Sequence, residues 1–227
     1  MVSGCVSLAI RKKTLRLLRE CRQLSTNSDT NQLTLDLYDN DKFVYFGLDT
    51  ETTGTHPDSE IIQIGIYIFN YHASKYDVGH RGNFHFEPKA FEVNGFTFKR
   101  IYDGMPAFEV DEQLEEIMLQ ASKNLEVPLR NFIPVGFNVG SFDIPLIRRT
   151  FPRFSTLLSY RTLDLNAVLA CSYRTKSRFD AAKKAAKAYA DEMLTHGTIV
   201  GATVAHDALY DAAQAIFVLR YLQDIVE

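Results

Sequence analysis

The sequence predicts an α/β fold in which one mixed five-stranded sheet carries helices on both faces. Three apolar runs of strand length come first, with no long helix between them. Helix-like and strand-like segments then alternate toward the C-terminus, which is typical of parallel strands joined by helices. The 227 residues are 46% hydrophobic and 23% charged. This composition is that of a globular protein with a sizeable core, and it excludes a wholly disordered chain.

The first three predicted strands are expected to pair antiparallel. They are residues 43–48, 61–69 and 83–87, and Pro88 ends the third because proline cannot continue a strand ladder. Residues 53–57, Thr-Gly-Thr-His-Pro, form a turn signal between the first two strands.

The later elements are predicted from helical periodicity and from short apolar runs. In the first helix, Leu114, Ile117 and Met118 fall on one face. The predicted order is a helix at 109–124, a strand at 132–137, a helix at 141–151, a strand at 161–165 leading into an Ala/Leu helix, and helices at 179–194 and 207–226. The fourth and fifth strands should be parallel, with these helices covering both faces.

Residues 1–42 are predicted to be a basic N-terminal extension and linker, and residues 43–227 the packed domain. Residues 8–24 alternate leucine with arginine and lysine at helical spacing, which indicates a basic amphipathic helix. Residues 1–28 are Arg-rich and acid-poor, as in a mitochondrial transit peptide. There are two alternatives to a transit peptide. The segment could be an arm that docks a polymerase, another partner or nucleic acid, or it could be a plain surface helix.

The cysteine count and the hydropathy pattern bear on the cellular setting. The chain has three cysteines without metal-finger spacing, which favours the cytoplasm or another reducing compartment. No apolar run approaches the ~20 residues that span a bilayer, because Gln63 and Gly65 interrupt the best candidate. We therefore expect no membrane partner.

Positive charge is concentrated in residues 148–187, although the net charge of the chain is −3. Such a segment can bind a polyanion or can form a solvated helix face. The candidate phosphate contacts are Arg148, Arg149, Arg174, Lys176 and Arg178.

Two carboxylates end the first predicted strand. Asp49 and Glu51 are two residues apart, so on a strand both side chains point to the same face. Within an apolar run this pairing is costly by like-charge repulsion unless a cation is bound. A strand end exposed to water is the alternative, since the cost there is small.

Further acidic residues occur at the starts of two predicted helices. Asp143 follows the fourth strand, where an acid also suits a helix N-terminus. On one continuous helix His206 and Asp211 would point about 140° apart. They can share a site only if Asp207 caps the helix and His206 lies in the preceding loop.

The order and spacing of these segments resemble the DEDDh exonucleases of the DnaQ-like proofreading superfamily. Asp-Thr-Glu-Thr-Thr-Gly at 49–54 resembles the first motif of that family, residues 138–143 the second, and His206-x-Ala208-x-x-Asp211 the third. The likeness extends from about residue 43 to residue 222.

Particular positions place the chain within that family and also depart from it. Asp207 stands where the sister subfamily carries a tyrosine, so the histidine type is indicated. Phe137 and Gln63 stand where many relatives carry histidine and glutamate. Asp164 is expected to cap a helix and is left out of the metal site.

The resemblance implies an RNase H-like fold and a metal-dependent 3′→5′ exonuclease that releases nucleoside 5′-monophosphates. It implies two Mg²⁺ ions, with Mn²⁺ as a substitute, and His206 as general base. The implied metal ligands, which with His206 are the catalytic residues, are Asp49, Glu51, Asp143 and Asp211. The implied substrate-binding residues are Thr50, Thr52, Thr53, Gly54, Thr55, Asn138 and His206. Physical chemistry agrees, because hard divalent cations prefer carboxylate oxygens and two of them balance four carboxylates.

The resemblance leaves the substrate open. Single-stranded or frayed 3′ ends of DNA are favoured by the form of the first motif, and trimming of RNA 3′ ends is the alternative. A module on the same fold that binds nucleic acid or a polymerase without cleavage is a third interpretation. It would need a damaged ligand set, whereas all five catalytic positions are intact here.

Overall fold

A computed structural model describes residues 43–173, 175–196 and 206–224. The predicted N-terminal extension, with its docking and targeting interpretations, lies outside the described residues, and so does Arg174. The domain boundary and the cellular compartment stay predictions. Within the described part of the chain, no helix is both long and apolar enough to cross a membrane.

The described residues form one six-stranded sheet in the order β4-β3-β2-β1-β5-β6. The strands are β1 Val44–Thr52, β2 Ile61–Ile68, β3 His72–Gly79, β4 Met105–Pro106, β5 Phe132–Gly136 and β6 Leu163–Asp164. Strands β1 to β3 are antiparallel, whereas β5 and β6 continue the sheet parallel to β1. The predicted fold class is confirmed, and the two-residue β4, parallel to β3, adds an edge strand to the five predicted.

Helices cover both faces of this sheet. They are α1 Pro88–Asn94, α2 Phe98–Asp103, α3 Ala107–Asn124, α4 Asp143–Thr150, α5 Pro152–Leu157, α6 Leu165–Ser172, α7 Lys176–His196 and α8 Ala208–Asp224, with a 3₁₀ turn at Leu129–Asn131. One apolar core lies between the sheet and α3, α4 and α5. A second core lies under α7 and α8 on the other face.

The third strand was predicted in the wrong place. Residues 83–87 form a loop with one isolated bridge, from His85 to Ser59, and Pro88 begins α1 instead of ending a strand. The third strand is His72–Gly79, which pairs with β2 across a turn that contains Asn70 in a left-handed conformation. Most of β3 is polar and only partly buried, so it lacks an apolar run and is held by its partner strand.

Two glycines allow α8 to lie directly against the sheet. A β-carbon at Gly47 of β1 would lie 1.9 Å from the carbonyl oxygen of Ala212. A β-carbon at Gly65 of β2 would lie 2.2 Å from the carbonyl group of Ala208. No larger residue fits at either position, so α8 meets β1 and β2 backbone to backbone. This contact carries the residues of α8 to the face from which Asp49 projects.

Candidate metal centre

The end of β1 supplies two carboxylates to the face covered by α8. Asp49 and Glu51 lie on the same side of the strand as Gly47, and both side chains are partly buried. The pairing register of β1 shifts directly after Glu51, where the strand leaves the sheet. The predicted projection of both carboxylates from one face therefore agrees with the strand geometry.

The start of α8 supplies a histidine and a third carboxylate. The Asp207 side chain accepts hydrogen bonds from the N–H groups of Leu209 and Tyr210, at 3.2 and 3.3 Å, and so caps the helix. His206 lies in the preceding turn with φ of 64°, and its N–H donates to Asp211 Oδ2 at 3.0 Å. The predicted cap and loop are confirmed, and they place His206 and Asp211 on the same side.

These residues meet in one cluster. Glu51, His206 and Asp211 each offer a ligand atom within 4.8 Å of the others. The carboxylates are partly buried and His206 is exposed, so the cluster opens to solvent. Two carboxylates and an imidazole together can hold a divalent cation.

Asp143, in the first turn of α4, lies outside this group of three. Its side chain is 3% exposed, and its Oδ1 accepts a hydrogen bond of 2.6 Å from the Thr50 hydroxyl. Its charge raises the pKa of both Asp49 and Glu51, so Asp143 lies within electrostatic reach of these two carboxylates. Thr50, the residue between them on β1, orients the Asp143 side chain through this hydrogen bond.

The carboxylates oppose one another's ionisation. Burial raises the pKa of Asp49 well above its ordinary value, and the charges of Asp143, Asp211 and Glu51 raise it further. Burial, then the charge of Asp211, raises the pKa of Glu51 to about 7. Burial raises the pKa of Asp143 to about 6 against the hydrogen bond from Thr50. Burial also raises the pKa of Asp211. A bound cation would relieve this repulsion, so the donor set fits a divalent cation.

The loop after β1 is held by contacts within itself and by two more distant residues, Glu87 and Arg149. The Thr52 hydroxyl donates to the Gly54 carbonyl at 2.7 Å, and Thr53 is fully buried with its hydroxyl accepting from the Glu60 N–H. The N–H groups of Thr55 and His56 donate to the Glu87 carboxylate. Thr55 is exposed. Substrate binding by these residues stays a prediction, and the Thr50 hydroxyl is directed to Asp143.

Asn138 stands at the exposed end of the loop that follows β5. It has φ of 62°, and its Oδ1 accepts a hydrogen bond of 2.8 Å from the Asn166 side chain. Asp164 caps α6 through the N–H groups of Asn166 and Ala167, as expected, and so serves the helix. The Asn138 side chain remains at the surface, where a substrate could reach it.

A buried network behind the start of α8 was missed at the sequence level. Gln63 is fully buried, and its Oε1 accepts the Ala208 N–H at 2.8 Å. Its amide donates to Asp77 at 2.7 Å, and Asp77 is held by two hydrogen bonds from Arg100. A polar residue inside an apolar strand was the available signal. Gln63 positions the first turn of α8, which carries Asp211.

One arginine of the basic segment has a structural role. Arg149 braces the loop after β1, since it donates to the carbonyl groups of Pro57 and Ser59. Arg148, Lys176 and Arg178 are exposed. These three residues remain candidate phosphate contacts.

Comparison with known proteins supports the fold. No family model matches the sequence, and neither does any curated protein sequence. Among solved structures, E. coli Exonuclease I in complex with a dT13 oligonucleotide is 16% identical with a TM-score of 0.56, over 80% of this chain and 41% of that chain. Its complex with a dA16 oligonucleotide is 16% identical with a TM-score of 0.52, over 82% of this chain and 42% of that chain. The zinc-ion-bound form of the complex of E. coli Exonuclease I with single-stranded DNA is 16% identical with a TM-score of 0.53, over 82% of this chain and 42% of that chain.

These matches cover about two fifths of each Exonuclease I chain. At this identity they establish the architecture, with the strand order and the helices on both faces described above. The chain shares the fold of the matched part of E. coli Exonuclease I, which is the fold that the DEDDh resemblance implied.

Proposed function

We propose that the chain is a metal-dependent 3′→5′ exonuclease that degrades single-stranded DNA to nucleoside 5′-monophosphates. The observation that carries the proposal is the group formed by Glu51 at the end of β1 with His206 and Asp211 at the start of α8. Asp49 and Asp143 lie within electrostatic reach of Glu51, and the charges of these neighbours raise its pKa or that of Asp49. An arrangement this costly without cations is typical of a site for two divalent ions and a phosphodiester.

The residues of the cluster would divide the work of hydrolysis. Bound Mg²⁺ would supply charge for the attacking and leaving oxygens. Asp49, Glu51, Asp143 and Asp211 would hold the ions. His206, exposed at the mouth of the cluster, would accept the proton of the attacking water on a ring nitrogen. Thr50 would keep Asp143 oriented through its 2.6 Å hydrogen bond.

Two observations favour DNA over RNA and cleavage over simple binding. The structural neighbours include Exonuclease I bound to oligodeoxynucleotides and a zinc-bound complex with single-stranded DNA. All five residues of the implied catalytic set are present, whereas a non-cleaving module would not need them.

The test uses single-stranded DNA and RNA of one sequence, labelled at either end, with Mg²⁺, Mn²⁺ or EDTA. Metal-dependent shortening from the 3′ end, faster on DNA, is expected. Asp211→Asn should keep less than about 5% of the activity, because it removes a charged ligand from the cluster. Asp58→Asn is the matched control, since this exposed aspartate lies outside the cluster. Binding without shortening in the presence of metal would reject the exonuclease proposal.

His206→Gln separates the role of the base from that of the ligands. A general base contributes roughly 10²–10⁴-fold, so the variant should lose about that much while it retains metal binding. If calorimetry shows that the His206→Gln variant still binds Mg²⁺ while its rate has fallen, the assignment of His206 as the general base is supported. A near-normal rate at neutral pH would contradict it.

A further inference from the structure

Two lysines of α7 stand side by side above one aromatic ring. Lys183 and Lys187 are four residues apart and so lie on the same helix face. Their Nζ atoms are 4.7 and 4.8 Å from the centroid of the Phe137 ring, which follows β5 directly. Cation–π attraction holds both ammonium groups over a ring that stays neutral at every pH.

Among the described residues, neither lysine has a carboxylate within ion-pair distance, although acidic side chains lie nearby. Lys183 donates to the Asn166 side chain at 2.8 Å, and no carboxylate of the described residues forms an ion pair with either lysine. Burial, and next the charge of Lys187, lower the pKa of Lys183, against the smaller opposite effects of Asp164 and Asp180. Two like charges one helix turn apart therefore repel each other, just as the carboxylates do at the metal centre.

The pair adjoins the metal centre without belonging to it. The charge of Lys187 lowers the pKa of both Asp49 and Asp211, so this ammonium lies within their electrostatic reach. Lys183 is connected to Asn138 through the side chain of Asn166, by two hydrogen bonds of 2.8 Å. The lysines therefore lie beside the cluster, on the side formed by the loop after β5.

We infer that Lys183 and Lys187 bind a backbone phosphate of the substrate strand, adjacent to the phosphate that is cleaved, with Phe137 as the floor of the subsite. The inference rests on the proposed function for the identity of the strand. The cleaved phosphate would lie at the carboxylate cluster, whereas the two ammonium groups over Phe137 would take a different phosphate of the same strand. A phosphate would cancel their repulsion and accept hydrogen bonds from both ammonium groups.

The test replaces each lysine by methionine, which keeps the apolar stem on Phe137 and removes the charge. Lys184→Met is the matched control, because Lys184 is an exposed lysine of the same turn with no contact to the ring. Binding of a fluorescent single-stranded dT12 to the full chain is measured against NaCl concentration, with Ca²⁺ in place of Mg²⁺. The double variant should bind about tenfold more weakly, with a salt slope smaller by about 0.7. The Lys187→Arg variant should bind the oligonucleotide more tightly than Lys187→Met and almost as tightly as the wild type, since arginine keeps the positive charge.

Turnover identifies which phosphate is bound. In the double variant, kcat/KM for the oligonucleotide should fall about tenfold more than kcat/KM for the p-nitrophenyl ester of thymidine 5′-monophosphate, which has no second phosphate. Equal losses on both substrates would overturn the inference, and so would a salt slope equal to that of Lys184→Met. If the wild-type chain cleaves neither substrate, the proposed function fails, whereas the binding measurement still decides the lysine pair.

Discussion

The repulsion within the carboxylate cluster makes the stability of the metal-free protein depend on pH. Glu51 has an ordinary pKa of 4.5, which burial and the neighbouring charges raise to about 7 in the folded chain. The folded state therefore binds more protons than the unfolded state between these two values. Stability consequently falls as the pH rises through this window, and it is highest below the lower value.

The size of this effect follows from the pKa difference. Each pKa unit corresponds to about 1.4 kcal/mol, so raising the pKa of Glu51 from 4.5 to about 7 is equivalent to about 3 kcal/mol. Asp143 adds a fall of the same sign at lower pH, because its pKa is raised from 3.8 to about 6. Glu51→Gln removes the contribution of Glu51 and should flatten the curve by about 3 kcal/mol.

The assay is urea unfolding followed by circular dichroism, in EDTA, from about pH 4.5 to about pH 8. Glu92→Gln serves as the control, since this exposed glutamate should leave the pH dependence as in the wild type. When Mg²⁺ is added to the wild-type protein at pH 8, its free energy of unfolding should rise again, because the ion binds the carboxylates only in the folded state. The reasoning is refuted if Glu51→Gln retains the full pH dependence of the wild type.

Three further substitutions test the elements that hold the cluster. Gln63→Leu leaves the Ala208 N–H without its acceptor, so thermal unfolding should show a loss of about 1–3 kcal/mol, and an unchanged melting temperature would contradict this. Gly65→Ala places a β-carbon against the backbone of α8 and should cost about 1–3 kcal/mol in urea unfolding, together with weaker Mg²⁺ binding. Thr50→Val removes the hydrogen bond that lowers the pKa of Asp143, so calorimetry at about pH 6 should show weaker Mg²⁺ binding, with a smaller difference at higher pH. A difference that does not change with pH would argue against that cause.

Local pattern was sufficient for the carboxylates and for the helix start. The i, i+2 spacing of Asp49 and Glu51 fixes their common face in any strand, whatever it packs against. Asp207 is a good cap by residue type, and its capping hydrogen bonds reach only two and three residues along the chain. Such features depend on nearby residues alone, so the sequence could predict them.

Features that depend on distant partners could not be predicted in the same way. The strand His72–Gly79 is mostly polar and exists because β2 supplies its hydrogen bonds. Gln63 meets the Ala208 N–H across 145 positions of sequence, and nothing local indicates this contact. In the sequence, Lys183 and Lys187 are indistinguishable from the other residues of the basic segment. Only the fold brings Phe137 beneath them. In each case tertiary pairing decides the outcome.

The backbone contact at the two strand glycines sets how close the start of α8 lies to the end of β1. Asp211 precedes Ala212, whose carbonyl meets Gly47, and Asp49 lies two residues after that glycine. The distance from α8 to β1 is therefore set where no side-chain volume intervenes. A side chain at either glycine would have to push α8 away from the strands, so it would move Asp211 away from Asp49 as well as lower stability.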